Sequence, residues 1–209
     1  MDPKNLQVLL YQQKTKGKIG NVSLTNLEGI ETETDININK NDLKKIIIQI
    51  SDKCNGEIDK SHLYDNFHKN QIYMILYHQQ KPIGFILARK KYRDDLGNST
   101  SEAYIDLICS EVGSGSFLMN YFIQYAKKNK FKAISLSSLP NVLTYYPKFG
   151  FSNRHTCDKK EKGSVLKDKT KMFDYLLNLR YKGFGKKYCN INIENFDCDE
   201  NGYMMRKCF

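Results

Sequence analysis

The sequence predicts an α/β fold, and three observations carry the prediction. Residues 104–109, YIDLIC, are a short run of apolar, aromatic and β-branched residues, the pattern of a buried strand. Residues 110–116, SEVGSGS, follow with two glycines alternating with small hydroxyl residues. Phe117, Leu118, Tyr121, Phe122, Tyr125 and Ala126 then recur on one face of a helix while Asn120, Gln124, Lys127 and Lys128 fill the other. Residues 132–138, KAISLSS, read as a second strand. A strand, a glycine turn, a helix and a strand in that order make an α/β unit.

The remaining elements follow from the same periodicities. Residues 6–12 and 22–27 read as strands joined through the glycine- and lysine-rich turn KTKGKIGN. Asn41 or Asp42 can cap a helix running to about residue 54, with Leu43, Ile46, Ile47 and Ile50 on one face, and a second helix covers residues 59–69. Residues 72–77 and 83–91 are two strands about a polar turn at 78–82, a hairpin with Gly84 near the start of its second arm. Residues 93–101, RDDLGNSTS, read as a loop. Beyond the second strand of the α/β unit, Pro140 opens a short helical piece that ends in NVLTYYPKFGF. Met172, Phe173, Leu176, Leu177 and Arg180 then stand at helical spacing and place a helix at 166–181, between a charged loop and a Gly- and Asn-rich one. No internal repeat is present.

At 209 residues with 40% hydrophobic composition the chain suits one domain with a sizeable core. The longest apolar runs are far too short to span a membrane and the N-terminus lacks a signal-like cleavage site, so a soluble, intracellular, cytoplasmic protein is expected, with no membrane partner. Richness in Asn, Ile and Lys is the mark of an AT-rich genome, of the sort found in some large DNA viruses and protists. Six cysteines stand without any close pair of the kind that holds zinc, and are expected as reduced, mostly buried thiols with no metal. The net charge of +10 attracts any polyanion, but the basic clusters at 89–93, 127–130, 159–162 and 186–187 are scattered among Asn, Asp and Glu, and no basic and aromatic motif of a nucleic-acid module appears.

The glycine turn carries the chemistry. A helix begins with unpaired backbone N–H groups and the positive end of its macrodipole, and glycine lets a ligand approach the main chain, so a phosphate is its natural guest. A P-loop is excluded because no Lys followed by Ser or Thr closes the turn. A dinucleotide fingerprint needs a third glycine where Leu118 stands and an acidic residue about twenty positions on, where the chain has residues 135–138. A pyrophosphate cradle of the coenzyme A kind needs only the two alternating glycines.

On two motifs the chain resembles the GNAT superfamily of acetyl-CoA-dependent N-acetyltransferases. Gly113 and Gly115 match that family's loop glycines. Asn141 matches its Asn after the fifth strand, and Tyr145, Tyr146, Lys148, Gly150 and Phe151 match its closing "FYEKLGF" pattern. The resemblance is strongest over residues 71–151 and returns at 202–209, where GYMMRKCF looks like the family's last strand. It implies a mixed, mainly antiparallel sheet with flanking helices, and with the fourth and fifth strands splayed around the cofactor. The chain then divides into an N-terminal strand extension at 1–35, a core at 36–151, a helical insertion at 152–201 and a last strand at 202–209. Two departures stand out. Ser110 occupies the position of a preferred Gln or Arg, and Pro147 stands where a helix former is usual, where it lacks an N–H and displaces the residue before it from helical angles.

The same resemblance implies a site. Acetyl-CoA would be held by Val112, Gly113, Ser114, Gly115 and Ser116 through main-chain N–H groups and serine hydroxyls, with Asn141, while a main-chain N–H at Ile108 or Cys109 polarises the thioester carbonyl. Direct transfer in a ternary complex needs a neutral amine, which at pH 7 and a pKa near 10.4 is roughly one molecule in 2,500, so a base helps. Asp106 and Glu102, on one face by the period of two, are the candidate bases, and Asp106 stands out inside an otherwise apolar strand. Tyr146 is the candidate proton donor to the departing thiolate, with Tyr145 in reserve. The expected partners are acetyl-CoA and an amine acceptor, a small molecule or a protein. The alternative is a catalytically silent module that binds coenzyme A or, through its basic surface, nucleic acid.

Overall fold

The computed structural model describes residues 6–12, 21–26, 31–32, 39–52, 54, 58, 60–93, 99–138, 142, 145–151, 157, 198–199 and 202–209. They fall into two compact units. One takes the chain up to Lys90 together with Ile105–Ile123, and the other takes Lys91–Tyr104 together with Gln124–Phe209.

In the first unit, β1 (Leu6–Gln12) pairs antiparallel with β2 (Asn21–Asn26), from Gln7 opposite Asn26 to Gln12 opposite Asn21. A two-residue β3 (Glu31–Thr32) continues the sheet from β2. On its other side β1 pairs antiparallel with β4 (Ile72–His78), which forms a hairpin with β5 (Lys81–Arg93). The hairpin turns on Gln79 and Gln80, both at positive φ (49° and 65°), the two-residue geometry that matches the twist of the flanking strands.

Two helices cover this sheet. α1 (Lys40–Ser51) is capped by Asn39, whose side chain accepts hydrogen bonds from the N–H groups of Asn41 and Asp42 at 3.0 Å, so the cap lies ahead of both expected positions, Asn41 and Asp42. α2 (Lys60–Lys69) follows. Leu43, Ile47 and Ile50 of α1 and Leu63 and Phe67 of α2 pack with Leu9, Tyr73, Ile75, Phe85, Leu87 and Cys109 as one buried cluster. The apolar spacing of α1 therefore reads correctly, with Ile46 only partly buried at its edge.

In the second unit the strand order is β6, β7, β9, β8. β6 (Ser99–Ser110) begins five residues before the expected strand. Its first half belongs to this unit, where the Lys132 N–H donates to the Ser101 carbonyl at 2.7 Å. α3 (Gly115–Lys128) leads to β7 (Ala133–Ser138). β9 (Gly202–Cys208), the expected last strand, pairs antiparallel with β7 and with the short β8 (Cys198–Asp199). The helix read at 166–181 lies outside the described residues.

Among the described residues no helix is long and apolar enough to cross a membrane. The expectation of reduced thiols is corrected: Cys54 is bonded to Cys109 in the first unit and Cys157 to Cys208 in the second, with Cα separations of 6.2 and 5.6 Å that suit a bridge. Spacings of 55 and 51 residues hide both pairs from a sequence search for close cysteines.

Candidate active site

The glycine turn is built by short hydrogen bonds. β5 passes so close to the end of β6 that a Cβ on Gly84 would lie 2.8 Å from the Ser110 Cβ, and the Glu111 N–H donates to the Ile83 carbonyl at 2.8 Å. Ser114 closes the turn: its N–H and its hydroxyl both donate to the Glu111 carbonyl, at 3.1 and 2.7 Å. That hydroxyl, read from sequence as a ligand donor, is thus used by the protein itself. The Ser114 carbonyl then accepts from Phe117 and Leu118, and α3 begins at Gly115.

Between these anchors Gly113 sits at φ +84°, a conformation that disfavours any other residue, and a Cβ there would meet nothing within 4 Å. Val112 beside it is fully exposed. The main chain is therefore open at Val112 and Gly113, just ahead of the start of α3. No acidic residue lies in the first turn of α3, and Glu111 just ahead of it is paired with Lys81 at 3.6 Å. The residues fit a pyrophosphate.

Asp106 lies in the same unit, its side chain 8% exposed. Arg89 Nε stands 3.3 Å from Oδ2, but the approach lacks hydrogen-bond geometry, and that oxygen is buried with no hydrogen-bond partner. Burial pushes the carboxyl up to about 6. Arg89, Lys69, a hydrogen bond from Asn70 and His62 each act against that rise without cancelling it. The outcome is a carboxylate that ionises only near neutrality, a useful range for a base. Arg89 was hidden in the RKKYR run, which reads as solvated surface. Asn70 carries no sequence signal beyond its place at the end of α2.

Glu102, the other sequence candidate, lies in the second unit and has its carboxylate fully occupied. Arg206 Nε reaches Oε2 at 3.2 Å, Ser135 donates to the same oxygen at 3.1 Å, and Thr100 donates to Oε1 at 3.1 Å. Arg206 is 0% exposed. Arg206 stands beside Lys207 in the sequence, and nothing in that stretch marks it as the partner of Glu102.

Tyr146 opens a 3-10 turn, Tyr146–Phe149, with Pro147 at its start, where a missing N–H is tolerated. Gly150 ends the turn at φ +83°, its N–H donating to the Pro147 carbonyl. The Tyr146 ring is buried, edge-on to Tyr145 at 5.2 Å and to Phe151 at 5.9 Å. Burial and the neighbouring Tyr145 drive its phenol above the ordinary tyrosine range, so it stays protonated throughout the working pH range. Ile108 is half-buried, Cys109 is bonded to Cys54, and Asn141 lies outside the described residues. Among the described residues no group of three or more His, Cys, Asp or Glu is placed to hold a metal.

No protein-family model matches the chain, and no curated protein matches it. Solved structures do. Gcn5 of Tetrahymena aligns with a TM-score of 0.51 at 19% identity, over 84% of this chain and 92% of that one. An acetyltransferase from Streptococcus agalactiae gives 0.47 at 12% identity, over 82% and 94%. A GNAT family acetyltransferase from Brucella melitensis in complex with acetyl-CoA gives 0.45 at 12%, over 58% and 87%. At these identities the likeness is one of fold. The chain has the GNAT fold, a mixed α/β architecture with a mainly antiparallel sheet and flanking helices, as the two motifs implied.

Proposed function

We propose that the protein is an N-acetyltransferase that moves an acetyl group from acetyl-CoA to a primary amine by direct transfer. The observation that carries this reading is the bare glycine turn: Gly113 at positive φ with open space beside it, followed at once by the start of α3. The main-chain N–H groups of residues 112–116 would hold the pyrophosphate, with Ser116 and Asn141 adding side-chain contacts, and that of Ile108 or Cys109 would face the acetyl carbonyl. Bound there, acetyl-CoA supplies the activated acetyl group.

Asp106 is the proton acceptor in this reading. Ionised above about pH 6, it is a stronger base than an ordinary aspartate and takes a proton from the incoming ammonium directly or through one water. Tyr146 is the candidate proton donor to the departing sulfur, although burial and Tyr145 make its phenol a weaker acid than an ordinary tyrosine. Glu102 has no part in proton transfer, because Arg206, Ser135 and Thr100 hold its carboxylate.

Calorimetric titration with acetyl-CoA tests the reading, run on the wild type and on a Gly113→Glu, Gly115→Glu variant. Micromolar binding that the variant loses is expected, since the new side chains bring bulk, a strained φ and negative charge to the cradle. A folded wild type that binds no acetyl-CoA would overturn it.

A further inference from the structure

We propose that Gly84 is the positioning residue of the glycine turn: with no side chain where β5 meets the end of β6, it lets Glu111 bond back to β5 and so fixes where residues 112–116 stand. For its ligand the proposal rests on the reading of that turn as the acetyl-CoA cradle.

The device begins with an irregularity in the β4–β5 hairpin. Leu76 lies opposite Gly84 and Tyr77 opposite Pro82, so Ile83 is an extra residue without a partner in β4, a bulge of the kind that turns a strand's groups in a new direction. Its carbonyl is the group that accepts the Glu111 N–H at 2.8 Å. Beyond that link the Glu111 carbonyl receives both donors of Ser114, and the Ser114 carbonyl receives the N–H groups of Phe117 and Leu118. One run of hydrogen bonds therefore leads from the bulge through Glu111 and Ser114 into α3. Lys81, two residues before the bulge, adds a partly exposed ion pair to the Glu111 carboxylate at 3.6 Å.

That run closes only if the two strands come close, and Gly84 sets how close. A Cβ on it would lie 2.8 Å from the Ser110 Cβ, 3.1 Å from the Cys109 carbonyl oxygen and 3.2 Å from the Ser110 Cα. Two of these are main-chain atoms and the third is fixed to the main chain, so none can swing aside as the end of a long side chain could. Ile83 and Gly84 are both buried, which leaves an added methyl no route to solvent. Gly84 also lacks the positive φ that accounts for Gly113, so proximity rather than backbone angle is what requires a glycine there. Any side chain at this position moves the end of β6 off β5 by roughly half an ångström, about the tolerance within which a binding group keeps its function. The residues moved are Cys109, Ser110 and Glu111, which include a main-chain N–H read as facing the acetyl carbonyl and the anchor of the turn.

The test pairs amide NMR of the ligand-free full chain with calorimetric titration of acetyl-CoA. Gly84→Ala is expected to displace the amide signals of residues 111–116 and to weaken acetyl-CoA binding about tenfold. Ser110→Gly removes the nearest atom, so adding Gly84→Ala to that variant should cost only about threefold, the share left to the two main-chain contacts. A merely structural role would lower the unfolding midpoint of Gly84→Ala while leaving the turn signals and the affinity of the folded protein as in wild type, and that result would overturn the proposal. If Gly84→Ala does not fold, Ser110→Gly and the double variant decide in its place, and identical signals and affinity in those two would overturn it equally. Displaced signals with an unchanged affinity would remove its binding part. A folded wild type that binds no acetyl-CoA would instead sink the cofactor reading, while the amide signals still report whether Gly84 places the turn.

Discussion

Glu102 and Asp106 stand four residues apart on β6, both in buried surroundings, and they are held in opposite ways. Glu102 meets a fully buried arginine and two hydroxyl donors, so charge and hydrogen bonding are both satisfied. Asp106 meets a half-exposed arginine that gives charge without hydrogen-bond geometry, and one of its oxygens is left with no donor. A carboxylate satisfied on every side is committed to the fold, whereas one held incompletely keeps its proton affinity adjustable, as a base requires.

Removing one partner of the satisfied site should have the largest effect. Arg206→Met leaves Glu102 charged and buried, and a loss of about 3–5 kcal/mol is expected in denaturant unfolding. Combining it with Glu102→Leu should recover most of that loss, and a single variant as stable as wild type would break the contrast drawn above.

The Asp106 site should respond to pH instead. Its carboxyl rises from 3.8 in the unfolded chain to about 6 in the native state, so between those values the native protein holds a proton that the unfolded chain has released. Stability contributed by that proton is complete below about pH 4 and is lost as pH rises through 6. The loss amounts to a few kcal/mol. Asp106→Asn cannot titrate, so its midpoint measured from pH 4 to 7 should lack this fall, and the acetyl-transfer rate should drop about a hundredfold. A pH profile identical to wild type would remove Asp106 from the comparison.

Thr100→Val should have the smallest effect. It deletes one hydrogen bond to Glu102 Oε1 and leaves the ion pair in place, for a cost of about 1 kcal/mol by thermal or denaturant unfolding. A cost near that of Arg206→Met would show that hydroxyl donors, rather than the arginine, hold Glu102.

The framework of the candidate site was legible along the chain. The strand, turn and helix around Gly113 read correctly because each depends on near neighbours: a period of two, a residue that tolerates positive φ and a period near four. The start of β6 was misread because Ser99, Thr100 and Ser101 look like loop residues, whereas the strand begins at Ser99. The α1 cap was placed late, at Asn41 or Asp42, because Asn39, Asn41 and Asp42 are all competent caps in sequence. Pro147 carried a readable warning, and a 3-10 turn absorbs it.

The sequence by itself determined the α/β class, the bare glycine turn at the head of α3 and the apolar faces of α1 and α3, because these rest on backbone sterics and side-chain periodicity within about a dozen residues. Only the tertiary structure decided which carboxylate on β6 is neutralised, by an arginine 104 positions away, and which cysteines are joined, 55 and 51 positions apart. Those pairings depend on how distant strands and helices are brought side by side, a choice made by the burial of the whole core, so nothing in the residues next to Glu102 or Cys109 specifies its partner.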